Sequence, residues 1–231
     1  MFKRHLFRLF VAAVSVALGS ASLHAQTDVA ANLYAAFSKS VNTSSSVSNG
    51  FRTTTSNVTQ STKSAAGVMV EVRHIFAPLI GIEATYSFRP ANQNYSSGYG
   101  NTCTPGAPYC ANYVRAGSDS ASASAHAQQF TVDWIPSMKV GKLRPFGVAG
   151  AGAIWIKPTS AQVSGMKTIS DVSPVYVYGA GLDFAELPHL GLRLQYRGDI
   201  YQTPYLIPGV AQGASSWTHT AEPMIGVYFR L

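Results

Sequence analysis

An all-β fold is predicted for the 231-residue chain: an eight-stranded antiparallel up-and-down barrel whose apolar face meets a membrane. Three observations carry the prediction. The stretch from Ala66 to Arg89 alternates twice. First Ala66, Val68, Val70 and Val72 run against Gly67, Met69, Glu71 and Arg73. Then Ile80, Ile82, Ala84, Tyr86 and Phe88 run against Gly81, Glu83, Thr85, Ser87 and Arg89. Side chains on a strand alternate between faces, so each run has one apolar and one polar or small face, and the two form a hairpin. Each run is about as long as the 9–11 residues a tilted strand needs to cross a bilayer. Connections between such runs alternate long and short along the whole chain, the pattern of an outer-membrane barrel. Charge is low, at 12%, which is too apolar and aromatic a balance for a disordered chain.

The first 25 residues read as an export signal. Lys3, Arg4 and Arg8 precede the apolar stretch Leu9–Leu18, and small residues lead to Ala25. Residues 26–231 form the barrel domain. Leu33, Ala35 and Phe37 mark the first strand. The segment 40–63, rich in Ser, Thr and Asn, reads as a long loop, and the hairpin supplies strands two and three after a break at His74–Pro78. A second long loop spans 90–123. Phe130, Val132 and Trp134 belong to the fourth strand. Phe146, Val148, Ile154 and Ile156 give the fifth strand its apolar, outward face, with Gly150 and Gly152 within it. The loop 158–171 follows. Tyr176, Tyr178, Ala180, Leu182 and Phe184 mark the sixth strand, and Leu190, Leu192, Leu194 and Tyr196 the seventh. After the loop 202–216, Ile225, Val227, Phe229 and Leu231 mark the last. Pro223 falls on its lipid face and lacks the N–H that a ladder needs.

Alternation alone leaves a soluble periplasmic barrel of lipocalin type open, with its apolar face inward around a small apolar ligand. Lysine placement favours the membrane. After the signal, Lys39, Lys63, Lys139, Lys142, Lys157 and Lys167 all fall in loops, turns or strand ends. The charges on strands are carboxylates and arginines, the pair suited to bidentate contact in a crowded interior. A lumen network is therefore expected from Glu71, Arg73, Glu83, Arg89, Asp133, Asp183, Arg193, Arg197 and Arg230. Interfacial aromatic girdles are expected from Phe37, Tyr86, Phe88 and Tyr176 at one end and Trp134, Phe146, Phe184 and Phe229 at the other.

Gly81–Tyr86, Arg144–Gly152, Gly191–Arg197 and the closing strand resemble the OmpA-like outer-membrane β-barrel family, a likeness that extends over the chain after the signal. The resemblance implies residence in the bacterial outer membrane. It also implies contact with its lipid and assembly by the outer-membrane insertion machinery, which reads the last strand. That strand carries Phe229 and ends in Leu231, where the family usually ends in an aromatic residue. The family's peptidoglycan-binding domain is not expected.

Other chemistry is weakly supported. Cys103 and Cys110, seven apart in an exported chain, are expected to pair as a disulfide. No zinc spacing is present. Lipid A deacylases use a His-x-Ser element; His219-Thr220-Ala221 lacks the serine and Ser124-Ala125-His126 reverses the order. No enzyme activity, cofactor or metal is expected, and a lipid A-modifying enzyme is the second alternative to the structural role. Without Lys3, Arg4 and Arg8 the basic excess is small and makes no stripe, so nucleic acid is not an expected partner. Aromatic and amide groups at 49–52, 95–99 and 109–113 suit surface recognition, with the ligand unknown.

Overall fold

The computed structural model describes residues 26–48, 52–77, 79–103, 117–161, 167–185, 187–207 and 216–231. The signal segment and Cys110 lie outside these residues, so neither the cleavage point nor the cysteine pairing is described.

Among the described residues, eleven strands form one antiparallel sheet: β1 (Gln26–Ser38), β2 (Val41–Ser48), β3 (Arg52–Thr62), β4 (Ala65–Ala77), β5 (Ile80–Pro90), β6 (Gln93–Cys103), β7 (Gly117–Trp134), β8 (Leu143–Ala161), β9 (Asp171–Ala185), β10 (Leu190–Gln202) and β11 (Trp217–Arg230). Eight of them close a barrel in the order β7-β5-β4-β1-β11-β10-β9-β8, with β8 returning to β7. The first and last strands meet in register, Val29 opposite Phe229 and Leu33 opposite Ile225. Closure leaves no edge in the ring, which is how a β-sheet satisfies its backbone away from water.

The barrel is inside out relative to a soluble protein. On β1, β4, β5, β10 and β11 the carboxylates and, apart from Arg230 at the rim, the arginines point inward and are buried, while Leu33 (65% exposed), Leu194 (54%) and Ile225 (55%) point outward. A lipocalin-type arrangement would reverse this on every strand.

Three features differ from the sequence expectation. First, the polar segments 40–63 and 90–123 are not irregular loops. β2, β3, β6 and the upper part of β7 form a four-stranded extension, order β2-β3-β6-β7, continuing the staves β1, β4, β5 and β7 past the barrel. All four staves are interrupted at one level: at 39–40, 63–64, 91–92 and the bulge at Ser124/Ala125. Of the other two expected loops, residues 158–161 continue β8, Asp171 opens β9 and Gln202 closes β10. Second, β1 begins at Gln26, and β4 continues through the expected break to Ala77 by way of a bulge between Ile75 and Ala77. The turn to β5 then places Leu79 at φ 68°, a left-handed conformation that costs a non-glycine residue about 1–2 kcal/mol. Third, β8 is turned over. Phe146, Val148, Ile154 and Ile156 face inward, and its outward positions include Ala149 and Ala151.

Pro223 sits within β11, opposite Tyr196 of β10. The ladder from β11 to β1 skips there, running from Tyr34↔Met224 to Phe37↔Ala221. β11 nevertheless continues to Trp217, held on its other side by β10.

Candidate functional site: the lumen

Among the described residues, seven carboxylates are buried inside the barrel: Asp28, Glu71, Glu83, Asp133, Asp183, Asp199 and Glu222. Five arginines join them: Arg73, Arg89, Arg144, Arg193 and Arg197. Burial forces these groups to pair, because an unpaired buried charge costs several kcal/mol.

Asp183 is the hub at the end with the short turns. It accepts Arg193 Nε at 2.7 Å, Arg144 Nη2 at 2.7 Å and Arg73 Nη1 at 3.2 Å. Register explains two of the three, since Asp183 on β9 lies between Arg144 of β8 and Arg193 of β10. Arg73 reaches from across the barrel and is paired on its own wall with Glu83, its register partner, at 2.7 Å. Arg193 also donates to Glu71, and Arg144 donates to Asp28. The guanidinium of Arg73 lies 4.0 Å over the Phe146 ring, and Arg193 is 5.4 Å from the Tyr228 ring. These are cation–π distances in a desolvated setting.

Higher in the lumen Arg197 donates to Asp133 at 3.0 Å and to Thr131 at 2.6 Å, with Asp199 at 3.3 Å. Gln129 donates to the other oxygen of Asp199 at 2.7 Å. Asp133 has room because Gly150 stands opposite it: a Cβ there would lie 2.0 Å from Asp133 Oδ1. Arg89 is 3.5 Å from Glu222 and donates to the Tyr201 hydroxyl at 3.2 Å.

Above these, toward the extension, the interior turns aliphatic. Ile154 and Ile156 of β8, Val175 of β9 and Tyr201 of β10 are buried with Leu206 and Ile207. Those last two belong to the segment after β10, which folds back into the barrel mouth. Gln60 donates to the carbonyl of Pro204 at 2.7 Å, the Ile169 N–H to that of Leu206 at 3.0 Å, and the Tyr205 N–H to Asp171 at 3.2 Å.

Of the nine charges read from the sequence, eight lie in the interior. Arg230 sits at its rim, a quarter exposed and 3.9 Å from Asp28. Asp28, Arg144, Asp199 and Glu222 were not among the nine. Parity could have found two of them: Asp199 is two past Arg197 and Glu222 two before Met224, on the same faces. Of the aromatics assigned to the outer face, Phe37, Tyr86, Phe88, Trp134, Tyr176 and Phe229 are exposed and Phe184 is half-buried. Phe146 is a correction. It is buried in the lumen because it shares a face with Arg144 and lies over Gly181, its register partner, where a Cβ would come within 2.3 Å of the ring. Tyr34 over Gly67 and Tyr228 over Gly191 repeat the arrangement. In each, a glycine on one inner wall accepts the ring from the next. Both histidines weighed for chemistry point outward: His126 packs on Phe88 with ring centroids 5.3 Å apart, and the His219 Nε2 is 2.8 Å from the Tyr178 hydroxyl.

The architecture is that of the OmpA-like outer-membrane barrels the sequence resembles: eight staves, long connections at one end and short turns at the other. No protein-family model matches the sequence, and no curated protein matches it. Solved structures do. The outer membrane protein OprG from Pseudomonas aeruginosa is 12% identical with a TM-score of 0.49, over 89% of this chain and 95% of that one. Neisserial surface protein A is 11% identical with a TM-score of 0.44, over 88% and 96%. Ail of Yersinia pestis, solved with the heparin analogue sucrose octasulfate, is 13% identical with a TM-score of 0.39, over 89% and 99%.

Proposed function

We propose that the chain is a bacterial outer-membrane barrel of structural role, with its lumen closed by buried ion pairs and its extension available for surface recognition. One observation carries the reading: the apolar face of the closed sheet is exposed and the charged face is buried. A belt that includes Leu33, Val70, Ile82, Val132, Leu194 and Ile225 needs an apolar surrounding, and a contiguous exposed surface of this kind marks a membrane or a partner. In this reading the short turns face the periplasm and the extension stands outside the cell. Eight strands enclose an interior about wide enough for side chains to fill, and the arginine–carboxylate network and the aliphatic layer above it are suited to filling it.

The experiment is fractionation. The protein should be recovered with outer membranes and should migrate differently on a denaturing gel before and after boiling, because a closed barrel resists detergent. Recovery in the soluble periplasm with no heat-dependent shift would overturn the reading. The proposal includes insertion through the machinery that reads the last strand, and assigns the chain no reaction. Lipid A from cells with and without the protein should therefore have the same mass. Loss of an acyl chain that depends on His126 or His219 would make it an enzyme.

A further inference from the structure

Where the four staves β1, β4, β5 and β7 are interrupted, the outward surface changes character. Below the interruption it is apolar, with Tyr86 and Phe88 on β5 and Val132 on β7. Immediately above it, between β3, β6 and β7, the outward face carries hydroxyls and amides with the cation Lys63. There the wall of the extension is concave, forming a recess of about 500 Å³. Ser61 and Lys63 line it from the β3 side, Asn92 and Asn94 from the β6 side, and Ser122 and Ser124 from β7. Among the described residues, no Asp or Glu lines it. The backbone is well held: the Lys63 N–H donates to Asn92 O at 3.0 Å, and Asn92 Oδ1 accepts the Ala125 N–H at 3.1 Å. The rim toward the apolar belt adds two basic groups, since His126 is next below Ser124 on the outward face of β7 and lies opposite Lys157 of β8.

We infer that this recess binds the phosphorylated sugar headgroup of an outer-leaflet glycolipid, the inference resting on the membrane reading above. The argument is positional and chemical. A lipid whose acyl chains lie against Tyr86, Phe88 and Val132 carries its headgroup to the height of the interruption. What it meets there is a wall of hydroxyl and amide groups, which suit sugar hydroxyls, and an ammonium group, which suits a phosphate. A lysine beside an anionic headgroup contributes about fivefold in affinity.

The test uses the full chain in phosphatidylcholine nanodiscs doped with diphosphorylated lipid A, with retained lipid counted by native mass spectrometry. The heat-dependent gel shift is read on every sample. The unmodified protein should retain lipid A over phosphatidylcholine. Lys63→Gln should lower retention about fivefold, and enzymatic removal of the lipid's phosphates should lower it equally with the unmodified protein. Lys39→Gln, a cation at the same interruption but outside the recess, should leave it unchanged. Equal retention by Lys63→Gln, or equal losses in both lysine variants, overturns the site. So does binding of soluble glucosamine phosphate as tight as that of the lipid, which would make the ligand a free one. A chain that does not enter nanodiscs overturns the membrane reading and this inference together; one that enters and shifts on boiling but shows no preference overturns only this inference.

Discussion

The two halves of the lumen solve one packing problem with opposite chemistry. Toward the short turns, Asp183 gathers Arg73, Arg144 and Arg193, and Phe146 and Tyr228 supply ring faces to the guanidinium groups. Toward the extension, Ile154, Ile156 and Val175 close around Leu206 and Ile207. Both halves are buried to the same degree. What a narrow barrel demands of its interior is that it be filled and satisfied, and polarity is one of two ways to do that. The charged half is the more fragile, because every member depends on its partners. An aliphatic side chain loses only its own contacts when a neighbour is cut.

That contrast sets an order of mutational effects. Asp183→Ala should be the most damaging, since it takes a shared carboxylate from three arginines at once and leaves each with its remaining partner only; removing one partner of a buried pair typically costs about 3–5 kcal/mol. Urea titration of refolding in detergent, followed by the heat-dependent shift, measures it. Ile154→Ala should cost about 2–5 kcal/mol, most of it cavity and lost contact. An Ile154→Ala loss larger than that of Asp183→Ala would invert the comparison.

A sharper break converts one half into the other. Arg89 and Glu222 lie 3.5 Å apart, close to the aliphatic layer. Arg89→Met or Glu222→Leu alone should each cost about 3–5 kcal/mol, by leaving a buried charge without its partner. The double variant should recover most of that loss, because apolar replacement of a buried pair is often neutral or stabilising. A double variant as unstable as the sum of the singles would mean that the pair does more than fill space.

Smaller effects belong to the outside and the turns. Leu192→Ala, on the outward face, should change stability by under about 1 kcal/mol. Leu79→Gly should raise it by about 0.5–1 kcal/mol, relieving the left-handed backbone at the price of some chain entropy. In the extension, burial pushes the Tyr95 phenol up to about 12. A raised phenol favours the folded state below the ordinary value near 10, and that contribution is lost as pH climbs from there through about 12. Absorbance titration of the unmodified protein against Tyr95→Phe should isolate the late step.

The same contrast explains what could be read from the sequence. On β4, β5 and β10 the outward residues are large and apolar and the inward ones include the charges, so period two identifies the strands, their faces and six of the network's charges. On β8 the outward positions include Ala149 and Ala151, while Phe146, Val148 and Ile154 fill the interior. A rule equating apolar with outward turns that strand over, and Phe146 with it. Arg144 was the corrective signal, since a charge beside Phe146 in parity must face Asp183. The extension was missed for a different reason. β2 and much of β3, β6 and upper β7 are Ser, Thr, Asn and Gly, and a strand polar on both faces leaves no hydrophobic period to detect. The common interruption of four staves, and the recess above it, exist only once the sheet is assembled.

The most direct test of the closed lumen is conductance across a planar bilayer. With the ion-pair network below and the aliphatic layer above both in place, the unmodified protein should insert and show little or no stable current. A steady, porin-sized conductance from the unmodified chain would contradict the proposed closure, which requires that no continuous aqueous path cross the barrel.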